Sequence, residues 1–294
     1  MAQVLSMREI TIIGGGLAGL SLGVALRERG VPVVLHEAMS YPRHRVCGEF
    51  ISGVSDETLT ELGISQELER AHRHHSTGWF TDNGCFYQAD LPVAAYGISR
   101  HGLDLALAEK LAALGGVVHE NSRLTPSHTE GVVLATGRPR NSESDWIGLK
   151  CHLTDYSAVC DLEMHIGSSG YLGICAVEDG RHNACALFRK RSGLKVSRTT
   201  ALGVYLRANG LTEIADKVES AAVDQSSCIG VSSFAFGHQS EKGGEELRIG
   251  DQYAIISPFT GNGMSMALEG AVTALPQVES YARGELEWNQ AVFR

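Results

Sequence analysis

The chain has 294 residues, of which 43% are apolar and 20% charged, close to the averages of soluble globular proteins. This composition excludes a disordered chain, a collagen-like repeat and a disulfide scaffold. The net charge of −9, without a long basic tract, disfavours nucleic acid as a partner, because such binding needs clustered Lys and Arg.

The N-terminal pattern predicts a strand, a glycine turn, a helix and a second strand. Residues 10–13 are a β-branched run that ends at three consecutive glycines. Residues 17–29 have the apolar spacing of a helix, and residues 31–36 form another apolar run. Together these elements predict a right-handed βαβ unit.

The rest of the chain predicts more of the same domain and a second one. A helix is predicted at 99–114, followed by strands at 117–118 and 132–135. An antiparallel sheet with a turn at 178–181 is predicted between 146 and 188, followed by helices at 197–209 and 211–222. The last predicted elements are a strand at 247–251, a loop at 258–263 and a helix at 264–275 that is stopped by Pro276. The predicted division is a nucleotide-binding domain at 1–75, 99–145 and 241–294, and a substrate domain at 76–98 and 146–240.

The glycine turn between the first strand and helix fits the G-x-G-x-x-G pattern, with Gly14, Gly16 and Gly19 at the glycine positions. Such a turn lets the backbone approach a pyrophosphate at the helix N-terminus. Glu37 ends the second strand, 18 residues after Gly19. A carboxylate there accepts hydrogen bonds from a ribose and repels a 2′-phosphate, which favours FAD or NAD over NADP.

A second motif lies near the C-terminus of the sequence. Asp251 follows Gly250 at the end of a predicted strand, and the glycine-rich segment 257–264 precedes an apolar helix. The backbone N–H groups and positive dipole end of that helix favour negative charge on a bound ring. The Asp251 carboxylate suits the hydroxyl groups of a ribityl or ribose chain.

Together these motifs resemble the geranylgeranyl reductase group of FAD-dependent oxidoreductases, within the superfamily of flavin aromatic hydroxylases and flavin-dependent halogenases. The resemblance implies an α/β fold in which a Rossmann-like FAD-binding domain is interleaved with an antiparallel-sheet substrate domain, and a short C-terminal part. The matching segments are 14–19 with Glu37, 43–50 (R-H-R-V-C-G-E-F), 98–100, 147–150, 170–171 and 250–251 with 258–264.

The resemblance implies FAD as the cofactor and a role for each matching residue. Gly14, Gly16, Ala18 and Gly19 would hold the pyrophosphate, and Glu37 the adenosine ribose. Further residues would contact the flavin half of FAD. Arg100 would lie near its ribityl–phosphate part, and Asp251 would bind the ribityl hydroxyls. The backbone N–H groups of Gly263 and Met264 would face the pyrimidine edge of the flavin, and Cys47 and Gly48 would lie beside the ring itself. The Cys47 thiol is a candidate proton donor, with a structural cysteine as the alternative.

Three functions remain open from the sequence. The first is reduction of a carbon–carbon double bond in an apolar prenyl- or polyketide-like substrate by hydride transfer from flavin N5. The second is a monooxygenase that hydroxylates its substrate through a flavin hydroperoxide. The third is a non-catalytic FAD-binding or escort protein. Both enzymes would need a small apolar or aromatic substrate and an external electron donor, either NAD(P)H or a reductase or ferredoxin.

Several patterns depart from the family or argue against other sites. Thr136-Gly137 replaces the Asp-Gly typical of aromatic hydroxylases, the W-x-W-x-I-P motif of halogenases is not found, and the sequence ends 43 residues after Asp251.

His72, Arg73, His74 and His75 are consecutive, which favours a solvated surface over a metal site, so no metal is expected.

The sequence also contains indications of the cellular location of the protein. The seven cysteines form no C-x-x-C pair, which indicates reduced thiols and a cytoplasmic protein. No signal peptide or transmembrane segment is predicted.

Overall fold

The computed structural model describes residues 7–125, 129–138, 144–232, 237–238 and 246–292. Two large sheets organise these residues, one of five strands and one of eight. The helices are α1 (Leu17–Glu28), α2 (Asp56–Glu61), α3 (Arg100–Ala113), α4 (Ala201–Ala208), α5 (Thr212–Ser220), α6 (Gly263–Ala282) and α7 (Trp288–Val292).

The five-stranded sheet is parallel and has the order β14-β7-β1-β2-β6. Its strands are β1 (Ile10–Ile13), β2 (Val33–His36), β6 (Val117–His119), β7 (Val132–Leu134) and β14 (Leu247–Arg248). Helix α1 joins β1 to β2 and is buried from Leu17 to Leu26. Gly19 lets it pack closely, since a Cβ there would overlap the carbonyl oxygen of Gly14. The predicted βαβ unit is therefore confirmed.

The eight-stranded sheet has the order β12-β8-β11-β10-β9-β4-β5-β3. Its strands are β3 (Phe50–Ile51), β4 (His72–Thr81), β5 (Gly84–Gly97), β8 (Trp146–Thr154), β9 (Leu162–Gly167), β10 (Gly170–Ala176), β11 (His182–Arg189) and β12 (Ala222–Val231). Its pairs are antiparallel except β4 with β9, which is parallel. The antiparallel sheet expected between residues 146 and 188 is confirmed by β8 to β11, and the parallel pair of β4 with β9 makes the whole sheet mixed. Two short strands, β13 (Gly237–His238) and β15 (Ala254–Ile255), form a separate pair.

Two predicted element ends differ from the structure. Helix α6 continues through Pro276 to Ala282 instead of stopping at Leu275. Beyond the proline, Val278 and Tyr281 are buried in the same core as α1, and this packing offsets the backbone hydrogen bond that the proline removes. The predicted strand at 247–251 forms only Leu247–Arg248, because residues 250–252 turn into a 3-10 helix.

The α/β fold class predicted from the sequence is confirmed, with one parallel and one mixed sheet. The predicted domain limits remain a prediction, and the limit at 240–241 lies outside the described residues. In the described part of the chain, none of the helices has the length and apolar character needed to cross a membrane.

Candidate functional site

The glycine turn, residues 14–19, brings the backbone of α1 against a group of charged side chains. Gly14 has φ +113°, and a Cβ there would overlap the backbone of Ala135 in the neighbouring loop. Gly16 is the N-cap residue of α1 and makes no side-chain capping bond. The first backbone N–H groups of a helix have no intrahelical partner, so this end of α1 is suited to an anion.

Two guanidinium groups face the glycine turn, and we call Arg45 and Arg100 the arginine pair. The atoms nearest to a Cβ built on Gly16 are the Nη2 atoms of Arg100 and Arg45, at 3.9 and 4.0 Å. Both arginines bind the fully buried Asp104, through Nε–Oδ distances of 2.7 Å for Arg100 and 2.9 Å for Arg45. The carboxylate therefore fixes both cations beside the helix N-terminus.

Glu37 is 4% exposed at the end of β2 and anchors the other side of the turn. Its Oε2 accepts from the backbone N of Gly15 at 3.0 Å, and its Oε1 accepts from Met39 N at 2.9 Å. Arg43 Nη2 lies 2.8 Å from the same Oε1. Arg45 Nη2 also lies 3.5 Å from Oε2, so a ribose hydroxyl would compete with Arg45 for the site that remains of the carboxylate's about four lone-pair sites.

These residues fit the pyrophosphate of FAD. The cradle lies between the N-terminus of α1 and the arginine pair, and its floor is a glycine whose Cβ position is free of close contacts. Two guanidinium groups and a helix dipole compensate the charge of a pyrophosphate. The sequence motifs point to Gly16, to Arg100 and to segment 43–50, which contains Arg45, whereas Asp104 emerges only from the fold.

Asp251 and the start of α6 lie next to this cradle. Gly250 packs against Ala18, since a Cβ on Gly250 would lie 3.1 Å from the Cβ of Ala18. Burial raises the pKa of Asp251, while the charges of Arg138, Arg100 and Arg45 oppose this shift. Asp251 Oδ2 lies 3.6 Å from Arg138 Nε. The second sequence motif therefore lies beside the first.

The N-terminus of α6 is held against the segment around Ser52. Gly263 is the first residue of α6, and Met264, the next residue, is 4% exposed. Ser265 Oγ donates to Ser52 O at 2.5 Å, and Ser52 Oγ donates to Asn262 Oδ1 at 3.0 Å. The backbone N–H groups at this helix start are suited to an electron-rich ring edge.

Cys47 and Gly48 lie between the two sheets. Asn183 Nδ2 on β11 donates to the carbonyl of Cys47 at 2.9 Å, and the thiol of Cys175 on β10 donates to Gly48 O at 3.3 Å. Burial raises the pKa of the Cys47 thiol, while the nearby charge of Arg100 opposes the shift. The thiol is therefore protonated at neutral pH, as a proton donor must be.

Glu49, the residue after Gly48, forms a buried triad with Lys150 and His152. All three side chains are fully buried, and Glu49 lies 3.1 Å from Lys150 Nζ and 2.6 Å from His152 Nε2. Glu49 Oε1 also accepts from Arg100 N at 3.0 Å. Burial would raise the pKa of Glu49, but the hydrogen bond from His152 and the charge of Lys150 outweigh it and lower this pKa. The triad thus ties the start of α3 to strand β8.

Sequence reasoning missed this triad. The matching segment 147–150 was noted for its resemblance, without a role for Lys150. The available signal is a lysine and a histidine at alternate positions of an otherwise apolar strand, Trp146–Thr154. Such residues are buried only when they are paired, but the pattern does not name Glu49 as the partner.

A row of cross-strand neighbours extends from the triad across the face of the eight-stranded sheet. In register, Lys150 lies opposite Cys185, Cys185 opposite Gly173, Gly173 opposite Met164 and Met164 opposite Trp79. Residues opposite one another in adjacent strands lie on the same face of a sheet. One face therefore carries the charged triad at one end and an apolar surface at the other.

The apolar end meets the loop before α6 through three aromatic rings, those of Trp79, Tyr171 and Phe259, which we call the aromatic wall. The ring of Phe259 lies edge-on to Trp79, with centroids 5.4 Å apart, and to Tyr171, with centroids 5.1 Å apart. Phe259 itself is 42% exposed. Because Phe259 lies in the 3-10 helix Pro258–Thr260, just before α6, the wall stands beside the helix start described above.

Comparison with known families identifies the cofactor. The family model described as "FAD binding domain" matches residues 7–161, which is more than half of the chain. The chain belongs to this FAD-binding family. FAD is accordingly its cofactor, as the sequence predicts, and the likeness to the aromatic hydroxylase and halogenase superfamily is confirmed. The narrower geranylgeranyl reductase group is not shown.

The solved structure of PqsL from Pseudomonas aeruginosa has a similar fold, with a TM-score of 0.75 and 16% identity over 97% of this chain and 90% of PqsL. The flavin-dependent halogenase armH1 from Armillaria mellea is 21% identical over 98% of this chain and 68% of the halogenase. Rhodocoxin reductase from Rhodococcus erythropolis is 28% identical over 42% of this chain, and the match spans only 30% of that reductase.

The residue roles implied by the sequence remain predictions, but the fold places most of these residues together. Ala18 and the glycines adjoin the arginine pair, and Asp251 and Glu37 flank them. Cys47 and Gly48 lie on the segment that connects Arg45 to the triad, and Gly263 and Met264 adjoin Ser52 beyond it.

Proposed function

We propose that the protein is an FAD-dependent monooxygenase that acts on a small aromatic substrate. The observation that carries the proposal is the aromatic wall beside the N-terminus of α6, because three rings in edge-on contact offer stacking surfaces for a planar substrate. PqsL supports the same reaction class, since it is described as a probable FAD-dependent monooxygenase and was crystallised with 2-aminobenzoylacetate, which contains an aromatic ring.

The chain's own residues would bind and enclose the reactants. Arg45, Arg100 and the N-terminus of α1 would hold the pyrophosphate, and the backbone N–H groups of Gly263 and Met264 would stabilise negative charge on the flavin ring. Bound FAD would supply two-electron redox chemistry with an external donor and O2. The aromatic wall would orient the substrate and limit the access of water.

The reaction class can be tested by reducing the FAD-loaded protein anaerobically and then adding substrates with or without O2. We expect that aromatic compounds are converted only when O2 is present. Oxidation of the reduced flavin by an alkene in the absence of O2 would contradict the monooxygenase proposal and support reduction of a double bond.

Replacing Phe259 with alanine should lower the fraction of consumed O2 that is incorporated into product. The variant loses both edge-on contacts, and an aromatic pair contributes about 0.5–1.5 kcal/mol beyond its buried area. If the substrate ring loses one such contact with Phe259, kcat/KM should fall about 2- to 13-fold, which corresponds to this range, and more hydrogen peroxide should form per electron pair consumed. Both quantities are read from parallel assays of product, peroxide and O2 uptake.

The control for Phe259→Ala is Phe86→Ala, because Phe86 is 59% exposed on β5 and has no place in the aromatic wall. Its kinetics should match those of the unchanged protein. Equal peroxide yields in all three proteins would contradict the role given to the wall.

Reduction of a carbon–carbon double bond, the first expectation from the sequence, becomes the second candidate. It is favoured by one observation, the Cys47 thiol, whose pKa is raised by burial and which lies beside Arg100. A protonated thiol next to the flavin site suits proton delivery to a substrate carbon. No observation favours the escort function in particular, since a non-catalytic FAD-binding protein would use the same arginine pair and glycine turn.

Replacing Cys47 with serine separates the two reactions. The hydroxyl keeps the approximate size of the thiol but is a far weaker acid, so a reductase that uses this proton should lose about 10²- to 10⁴-fold in kcat. For the proposed monooxygenase we expect less than about a threefold change, with FAD content unaltered, because no general-acid contribution of that size is removed. The variant is assayed under both anaerobic and aerobic conditions, with Cys85→Ser, an exposed cysteine, as the control.

A further inference from the structure

A second group of possible ligands lies on the eight-stranded sheet, where β4 meets the loop before β9. One ligand atom from each of His72, His74 and Asp161 lies within 4.8 Å of the others. The two histidines are alternate residues of β4 and so project from the same face, with ring centroids 4.8 Å apart. Arg73 projects to the other face, where it stacks on Tyr96 at 3.7 Å.

The sequence favoured a solvated surface for this histidine run, and that expectation is wrong for His74. His74 is fully buried, whereas His72 and His75 are exposed. Because His72 and His74 share a face, alternation does not explain their different exposure; the His74 ring instead packs against the ring of Phe50 and the carbonyl of Ala176.

The hydrogen bonds of His74 leave one ring nitrogen for a ligand. Its Nε2 lies 2.9 Å from the carbonyl oxygen of Ala176, which has no proton, so Nε2 must be the donor. In the neutral ring Nδ1 then carries a lone pair, and this buried Nδ1 has no hydrogen-bond partner among the described residues. Metal-binding histidines commonly show this arrangement, in which a backbone carbonyl fixes the tautomer.

Asp161 is held in position by the backbone of β4. Its Oδ2 accepts from the backbone N of His75 at 2.6 Å and of Ser76 at 3.0 Å. Both bonds use the same oxygen, so Oδ1 is the atom that remains for a ligand. A positioned carboxylate and a positioned imidazole thus face the exposed ring of His72.

We propose that His72, His74 and Asp161 form a binding site for a divalent transition-metal ion of the zinc type. Two imidazole nitrogens and one carboxylate oxygen are a ligand set that Zn²⁺ accepts, with water completing the coordination on the exposed side. The ion would connect β4 to the beginning of β9 and so stabilise this part of the sheet. The proposal differs from the expectation, drawn from the sequence, that the protein has no metal.

Another three-residue group, His44, His152 and Asp224, has similar spacing but carries less weight. Lys150 Nζ lies 3.3 Å from His44 Nδ1, so a metal ion there would meet an ammonium group. Among the described residues that line the His72 group, no lysine or arginine bonds to Asp161 or to His74.

The test is a Zn²⁺ titration by calorimetry on the FAD-loaded protein after treatment with EDTA and removal of the chelator. We expect one equivalent to bind saturably and to raise the melting temperature, as any ligand of the folded state does. His72→Asn and Asp161→Asn should each weaken binding at least about tenfold. The amide oxygen introduced by Asp161→Asn would still accept the two backbone bonds, so this variant removes the charge and not the loop geometry.

The matched control is His75→Asn, which changes an exposed histidine of the same run outside the group. It should bind Zn²⁺ as the unchanged protein does. The proposal is overturned if the unchanged protein shows no saturable binding, if either His72→Asn or Asp161→Asn binds with unchanged affinity, or if His75→Asn loses as much affinity as His72→Asn.

Discussion

Replacing Gly16 with alanine is expected to weaken FAD binding strongly while the apoprotein remains folded. The backbone at Gly16 has φ −90° and ψ −176°, which any residue adopts, and the nearest atoms to the new Cβ would be 3.9 Å away. That methyl group would occupy the cradle between α1 and the arginine pair. We expect FAD affinity to fall at least about 100-fold, or about 2.8 kcal/mol, with an unchanged melting temperature of the apoprotein.

Two other glycines provide the comparison for Gly16→Ala. Gly14→Ala should damage both FAD binding and the apoprotein, because its Cβ would overlap the backbone of Ala135 and its φ is +113°. Gly30 has φ +79° and no atom within 4 Å of its Cβ. Gly30→Ala should therefore cost about 1 kcal/mol of stability and leave FAD affinity unchanged. Normal FAD affinity in Gly16→Ala would exclude the cradle as the pyrophosphate site.

Replacing Lys150 with methionine should strongly destabilise the eight-stranded sheet. The substitution leaves the carboxylate of Glu49 buried without its cation, since both side chains are 0% exposed. Breaking a buried ion pair in this way costs about 3–5 kcal/mol. We expect that loss in the free energy of unfolding, measured by urea titration of the FAD-loaded protein.

The double variant Lys150→Met with Glu49→Gln shows whether the buried charge causes the loss. A neutral amide at position 49 can still accept from His152, so the double variant should be more stable than Lys150→Met alone. Arg207→Met, which removes an exposed ion pair with Asp216, should leave the unfolding transition unchanged. A double variant less stable than Lys150→Met would contradict the pairing described above.

The same pair predicts a pH dependence. The pKa of Glu49 is lower in the folded protein than its ordinary value of 4.5, so the unfolded chain binds the proton more readily. Its contribution to stability is therefore complete above that ordinary value and is lost as pH falls through the folded pKa. Glu49→Gln should reduce this part of the acid sensitivity, which is measured by urea titrations repeated at a series of acidic pH values.

Local patterns in the sequence were enough to predict the cofactor half of the fold. One βαβ unit contains the β-branched run before Gly14, the spaced glycines and Glu37 after β2. These features are close in sequence, so together they predict the unit and its site. The start of α3 is also determined locally, because Ser99 caps this helix by accepting a hydrogen bond from Gly102 N at 3.0 Å. Short-range chemistry of this kind can be read from neighbouring residues.

Features that depend on distant residues could not be predicted in this way. The triad joins Glu49 to Lys150 and His152 across about one hundred positions of sequence, and no local pattern specifies that pairing. Helix α6 passes through Pro276 because its buried face packs on α1, a tertiary contact that overrides the local signal. His74 likewise becomes buried only when β4 lies between β5 and β9.

The most direct test of the proposed function is to follow the oxygen atoms. The FAD-loaded protein, an electron donor and an aromatic substrate are incubated under ¹⁸O2, and the product is analysed by mass spectrometry. The monooxygenase proposal predicts that one ¹⁸O atom appears in the product and that no product forms without O2. A product that lacks the label, or one that gains two hydrogens without O2, would contradict it.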